Sequence, residues 1–362
     1  MWIYLLLAAG LFMGWSLGTN DAANAFGTAV ATRVVKYRTA IIIIAVMVMV
    51  GAILLGDQNI TKLSNIAVNN EVAASEGDVL QAIANGTLDI LRQKSAMKGA
   101  IIFACAALTV FIMSYLKFPV SANQSVTGAV IGWGLCYADY GNPEVRSENI
   151  KEILEFMSTW LINPLGAALI SFVLVFIVKK FIEKRLTSMK HYDTFIKIGY
   201  IVAGAFSAFS IGQNSSASVM AFYYDATGQG ANLIYGNDGF FTGARIAAMV
   251  GGLAIAVGVL TFSKRVMMTV GGSIAEISQV DGFVVIIASA LTVVLMGNIM
   301  GIPVSTSQSV VGAVIGAGLV GGVKKVRFGV LKNVAIAWVS SPTVAGLLAF
   351  LVGLATKGYF GA

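Results

Sequence analysis

Residues 39–56 run Thr-Ala-Ile-Ile-Ile-Ile-Ala-Val-Met-Val-Met-Val-Gly-Ala-Ile-Leu-Leu-Gly without one charged side chain. As a helix rising 1.5 Å per residue, this stretch reaches about 27 Å, close to the roughly 30 Å hydrocarbon core of a bilayer. Further apolar runs at 98–116 and 156–178 have the same character. Only 11% of the chain is charged, against about 25% in a soluble domain, and its mean hydropathy is +0.83. Forty glycines against five prolines suit close helix packing within lipid. These features predict an all-α polytopic membrane protein, with the lipid bilayer as its solvent. The net charge of +7 does not indicate nucleic acid, because the basic residues cluster in short loops as the positive-inside rule expects. Cys105 and Cys136 lie in apolar segments without ligand spacing and read as packed residues. His191 sits in a basic loop and reads as solvated. Residues 1–17 lack a basic leader, so they read as a first membrane helix rather than a cleaved signal.

Within that apolar background, a few polar runs stand out. Gly18-Thr-Asn-Asp-Ala-Ala-Asn-Ala-Phe-Gly27 carries Asn20, Asp21 and Asn24, and Asp21 is the only carboxylate between Met1 and Gly56. An ionised carboxylate at bilayer depth costs a few kcal/mol and normally faces a cavity or a pathway. Because 2–35 is too long for one simple crossing, the polar run is expected to interrupt or strongly bend the segment. A related run, Gly212-Gln-Asn-Ser-Ser-Ala-Ser218, places Asn214, Ser215 and Ser218 at matching spacing. Two further segments, from Pro119-Val-Ser and Pro303-Val-Ser, put hydroxyls and amides at the start of an apolar, Gly-rich helix.

These landmarks belong to one internal repeat. Gly18 is answered by Gly212 at an offset of 194, Pro119 by Pro303 at 184, and Trp160-Leu-Ile-Asn-Pro164 by Trp338-Val-Ser-Ser-Pro342 at 178. The order is kept while the loops shorten. We expect residues 1–178 to form a first repeat, 179–194 a cytoplasmic linker and 195–362 a second repeat. Each half should make about five crossings, with broken helices or re-entrant segments at the midplane. The odd number turns the second half over, giving inverted-topology repeats with a site where the halves meet. With both termini outside, the basic clusters at 33–38, 179–190 and 324–332 fall inside. The acid-bearing loops at 57–97, 139–155 and 225–239 then fall outside. Part of the first loop, about Val79 to Leu91, has helical spacing suited to the membrane surface.

The chemistry expected of the site follows from residue type. Ser121, Asn123, Gln124 and Ser125, with Ser305, Thr306, Ser307, Gln308 and Ser309, sit at helix starts, where unpaired N–H groups and the positive dipole end favour an anion. Asn24 and Ser218 can add donors to the same substrate-binding set. Asn20, Asp21, Asn214 and Ser215 suit coupling to a cation, with Asp21, Asn20 and Asn214 as oxygen ligands for sodium. Gly316-Ala-Gly-Leu-Val-Gly321 fits a dinucleotide fingerprint but lacks the strand–helix context that gives it meaning. Asn59 and Asn85 open glycosylation-type triplets on the expected outer loop. No catalytic triad, metal-ligand cluster or Walker loop is visible, so an enzyme is not expected. Nor is a channel, since the polar residues gather at a few breaks instead of lining a path.

The run Gly18-Thr-Asn-Asp-Ala-Ala-Asn-Ala resembles the signature of the inorganic phosphate transporter (PiT) family, which includes sulfate-permease relatives. Pro119-Val-Ser-Ala-Asn-Gln124 and Pro303-Val-Ser-Thr-Ser-Gln308 are similar to that family's paired Pro-x-Ser-Thr elements. The resemblance covers essentially the whole chain. It implies a cation-coupled oxyanion symporter working by alternating access as a homodimer, without an organic cofactor, in a prokaryotic plasma membrane. The chain departs from the pattern at Asn214-Ser215, where the family commonly repeats Asn-Asp, and at Gln124 and Gln308, where it often has His. It also lacks a long insertion between the halves. Phosphate near neutral pH carries a proton that it can share with a carboxylate, whereas sulfate carries none. Asp21 therefore favours phosphate over sulfate, with sodium or protons as the coupling ion.

Overall fold

The computed structural model describes residues 2–57, 81–82, 84–116, 120–137, 143–182, 188–226, 243–270, 278–300, 304–322 and 328–360. Among them there is no strand. The helices are α1 (Trp2–Ala31), α2 (Tyr37–Leu55), α3 (Leu88–Tyr115), α4 (Ala122–Tyr137), α5 (Pro143–Ile177), α6 (Met189–Ala226), α7 (Gly243–Phe262), α8 (Lys264–Val270), α9 (Gln279–Met300), α10 (Thr306–Val320) and α11 (Phe328–Phe360). A π turn, Val178–Ile182, continues α5. Among the described residues, seven helices are long and apolar enough to cross a membrane. Their exposed faces are hydrophobic: on α5, Leu161, Leu165 and Leu169 form an i, i+4, i+8 row open to lipid.

The expected interruption at Gly18–Asn24 is absent: α1 runs through it unbroken, and α6 likewise runs through Gly212–Ser218. Polar side chains in a membrane helix can bond locally without opening the backbone ladder, as Thr19 does by donating to the Ser16 carbonyl (2.7 Å). Excess helix length is accommodated by tilt, so it does not demand a break. The short segments are instead the Pro-Val-Ser ones. Helices α4 and α10 have 16 and 15 residues, or about 24 and 22 Å, less than the hydrocarbon thickness. Each follows two non-helical residues, Val120–Ser121 and Val304–Ser305; Pro119 and Pro303 lie outside the described residues.

Hydropathy locates the membrane-embedded part of a helix better than its ends. Helix α5 begins at Pro143, within the expected acidic loop, with proline at the position where its missing N–H is harmless. Helix α3 opens at Leu88, so 88–91 belong to it and not to a separate surface segment. Residues 79, 80 and 83, most of 57–80, and 227–242 lie outside the described residues. So do Asn59, Asp139 and the basic residues Lys184, Arg185, Lys324, Lys325 and Arg327.

The packing partners are reciprocal. Helix α1 packs on α3 and α7, while α6 packs on α9 and α2; α4 packs on α11, while α10 packs on α5. Small residues permit these contacts. A Cβ on Gly128 would collide with the Pro342 carbonyl, and one on Gly312 with the Pro164 carbonyl. Two ion pairs join helix ends across the chain: Arg245 to Asp57 and Lys179 to Asp281, each at 2.8 Å. Helix α8 packs on α1.

Candidate functional site

All fifteen polar residues singled out from the sequence are buried, and none is more than 8% exposed. Asp21 and Asp281 are the only buried charged side chains among the described residues. Asp281 is neutralised by Lys179 far along the chain from the polar runs. Asp21 is therefore the one acid within the polar cluster.

The cluster is organised on the turn that opens α10. Ser305 is its N-cap, and its hydroxyl accepts from the Gln308 N–H (3.2 Å). Ser121 caps α4 in the same way, accepting from the Gln124 N–H (3.3 Å). Both caps thus spend their side chains on the helix start. From α1, the Asn24 amide donates to both Asp21 Oδ1 and Thr306 Oγ1, each at 3.2 Å. Asn24 thus links Asp21 on α1 to Thr306 on α10. From α6, Asn214 grips Val304 at both ends: its Nδ2 donates to the Val304 carbonyl and its Oδ1 accepts from the Val304 N–H, both at 2.8 Å.

The two Pro-Val-Ser turns also brace each other. Asn123 donates to the Val304 carbonyl (2.9 Å), and Ser307, its match at the 184 offset, donates to the Val120 carbonyl (3.3 Å). Ser218 donates to Asn123 Oδ1 (2.7 Å), which brings α6 and α4 together. The Asn214 amide is also 3.4 Å from the Ser215 hydroxyl. Asn20 turns elsewhere, donating to Ser114 on α3 (2.8 Å). Ser125 and Ser309 donate back to the Ser121 and Ser305 carbonyls.

The structure therefore brings Asp21, Asn24 and Thr306 into one group, and Asn123, Asn214 and Ser218 into another on Val304. Asn214, expected beside a cation, uses its amide to hold backbone. Gln124 differs from all of these: both its Oε1 and Nε2 are buried without a hydrogen-bond partner, as is Gln308 Oε1. A buried amide left unpaired costs about 1–3 kcal/mol per group unless a ligand or water meets it. These two glutamines thus place unpaired amide atoms at matched positions beside two helix starts, and among the described residues Gln124 alone has both ends of its amide buried without a partner. Sequence reasoning gave no role to Ser114 or Asn163. Asn163 had a signal, as an amide just before a proline in an apolar helix, and it bonds the α10 turn directly.

The profile of the family described as "Phosphate transporter family" matches residues 17–349. A candidate phosphate permease of Pyrococcus horikoshii is 27% identical, the match covering 97% of this chain and 97% of that one. Inorganic phosphate transporter 2-1, chloroplastic, of Arabidopsis thaliana is 23% identical over 96% of this chain and 71% of its own length. Among solved structures, one described as a sodium-dependent phosphate transporter superposes with a TM-score of 0.74 at 21% identity, covering 99% of each chain. That likeness concerns the fold.

Proposed function

The chain belongs to the phosphate transporter family, and we propose that it is a symporter that carries inorganic phosphate across the membrane, driven by sodium and working by alternating access. The observation that carries this reading is the buried polar cluster itself, with one acid, two helix starts and unpaired glutamine amides enclosed among apolar helices. The N-termini of α4 and α10 supply backbone N–H groups and positive dipole ends for an oxyanion. Gln124 and Gln308 would complete that anion side, with Ser121, Asn123, Ser125, Ser305, Ser307, Ser309 and Ser218 shaping it. Asp21, with Asn24 and Thr306 beside it, would serve the cation, while Asn20 and Asn214 are spent on Ser114 and Val304. A proton carried by phosphate, or a cation between them, removes the repulsion between anion and carboxylate.

Alternating access is supported by the reciprocal helix packing and by the matched cross-braces Asn123–Val304 and Ser307–Val120. Both suit two inverted repeats, 1–178 and 195–362, moving about a shared site. The homodimer and the placement of both termini outside belong to the same proposal. The test is uptake of labelled phosphate by proteoliposomes under an inward sodium gradient, with sulfate and a proton gradient as parallel arms. Saturable phosphate uptake that collapses with the sodium gradient is expected. Sulfate uptake uncompeted by phosphate would overturn the substrate, and uptake driven by protons alone would overturn the coupling ion.

A further inference from the structure

We infer that Asn163 is a positioning residue for this site, fixing the first turn of α10 from the opposite half of the chain; the inference rests on the phosphate-transport reading for its functional readout. Asn163 lies inside α5 and is buried. Its Nδ2 donates to the Ser305 carbonyl and its Oδ1 accepts from the Ser309 hydroxyl, both at 2.8 Å. The amide thus spans the N-cap and the residue one turn further on, and it acts through α10 without being placed against substrate.

Below this clamp, the same two helices are locked by contact alone. A Cβ on Gly312 would strike the Pro164 carbonyl, and one on Gly316 the Ala168 carbonyl. The clamp is the third step of that register and the only one made by hydrogen bonds to a side chain. The turn it fixes carries Thr306, which Asn24 links to Asp21, and Gln308, whose Oε1 is unpaired. A small slide of α10 along α5 would displace all of them together.

The other half shows that helix association does not need the amide. At the repeat offset of 178, Asn163 is answered by Ser341 on α11. The two glycine steps recur there, Gly128 against Pro342 and Gly132 against Gly346. The Ser341 hydroxyl, however, is buried without a hydrogen-bond partner. Packing is conserved between the two interfaces, while the clamp is confined to the one beside Thr306.

Two variants test this in proteoliposomes: Asn163→Ser, which installs the residue of the other half, and Ser309→Ala, which removes one of the two bonds. Asn163→Ser should raise the KM for phosphate about tenfold, the equivalent of roughly 1.4 kcal/mol, with the maximal rate per folded transporter changed far less. Ser309→Ala should shift KM in the same direction by a smaller factor. Unchanged KM in both, with only less folded protein, would overturn the inference by making Asn163 merely structural. Should Asn163→Ser fail to fold, the conservative Asn163→Asp, which keeps the acceptor for Ser309 and loses the donor to the Ser305 carbonyl, decides by the same KM readout. Absence of phosphate uptake by the wild type would instead defeat the transport reading. Hydrogen exchange at 306–311 in detergent then tests the clamp alone: faster exchange in Asn163→Ser supports it, and equal exchange sinks it.

Discussion

Helices α4 and α10 open with the same Pro-Val-Ser motif and the same serine cap, yet they are held by different means. Asparagines from four helices, Asn24, Asn123, Asn163 and Asn214, converge on Val304, Ser305, Thr306 and Ser309 at the start of α10. At the start of α4, Ser307 meets the Val120 carbonyl, Ser341 bonds nothing, and Gln124 keeps both ends of its amide unpaired. Repetition therefore sets the backbone frame, and the few unmatched side chains divide the labour within it. The α10 turn is a platform braced from several sides, and the α4 turn carries the amide that a ligand would satisfy.

The largest way to break this comparison is at the charge. Asp21→Asn should lower sodium-coupled uptake about a hundredfold or more, since a few kcal/mol of cation interaction is removed at roughly 1.4 kcal/mol per decade. Ser215→Ala, at the matched place on α6, should stay within about threefold on the same scale. Equal losses in the two variants would erase the asymmetry between the halves.

Next in size is the platform. Asn214→Ala leaves the Val304 N–H without its partner, at a cost of about 1–3 kcal/mol for a buried backbone donor. It should lower the unfolding midpoint of the purified protein in detergent as well as uptake. An unaltered midpoint would show that Asn214 serves the transported ions more than the turn. The glycine steps sharpen the symmetric part. Gly128→Ala and Gly312→Ala each force a methyl against a proline carbonyl and should each cost about 1–3 kcal/mol of stability. Similar costs are expected, and a large cost at one site alone would show that the two interfaces are not equivalent. Smallest is Asp57→Asn at the partly exposed Arg245 pair, expected to change stability by about 1 kcal/mol or less. Thermal unfolding at low and high salt measures it.

Much of the site was legible because a membrane makes polar residues conspicuous. Asn20, Asp21, Asn24, Asn214 and the two Pro-Val-Ser runs stood out against Leu, Ala, Val and Gly, and those among the described residues are buried. Their pairings were not legible. Nothing local to Asn214 says that its amide wraps Val304, ninety residues away, or that Asn24 bridges Asp21 and Thr306. The continuity of α1 also escaped hydropathy, because a polar face is compatible with an intact helix once neighbouring helices meet it.

By itself, the sequence determined the all-α membrane class, the repeated landmarks and the lone acid, since these depend on composition, length and order alone. Tertiary structure decided which polar groups spend themselves on each other and which remain unpaired. Hydrogen bonds between distant helices depend on angstrom-scale register, set here by glycine–carbonyl contacts such as Gly312 on Pro164. With that register matched in both interfaces, the amide of Asn163 holds a turn while the shorter hydroxyl of Ser341, in the matching place, holds nothing.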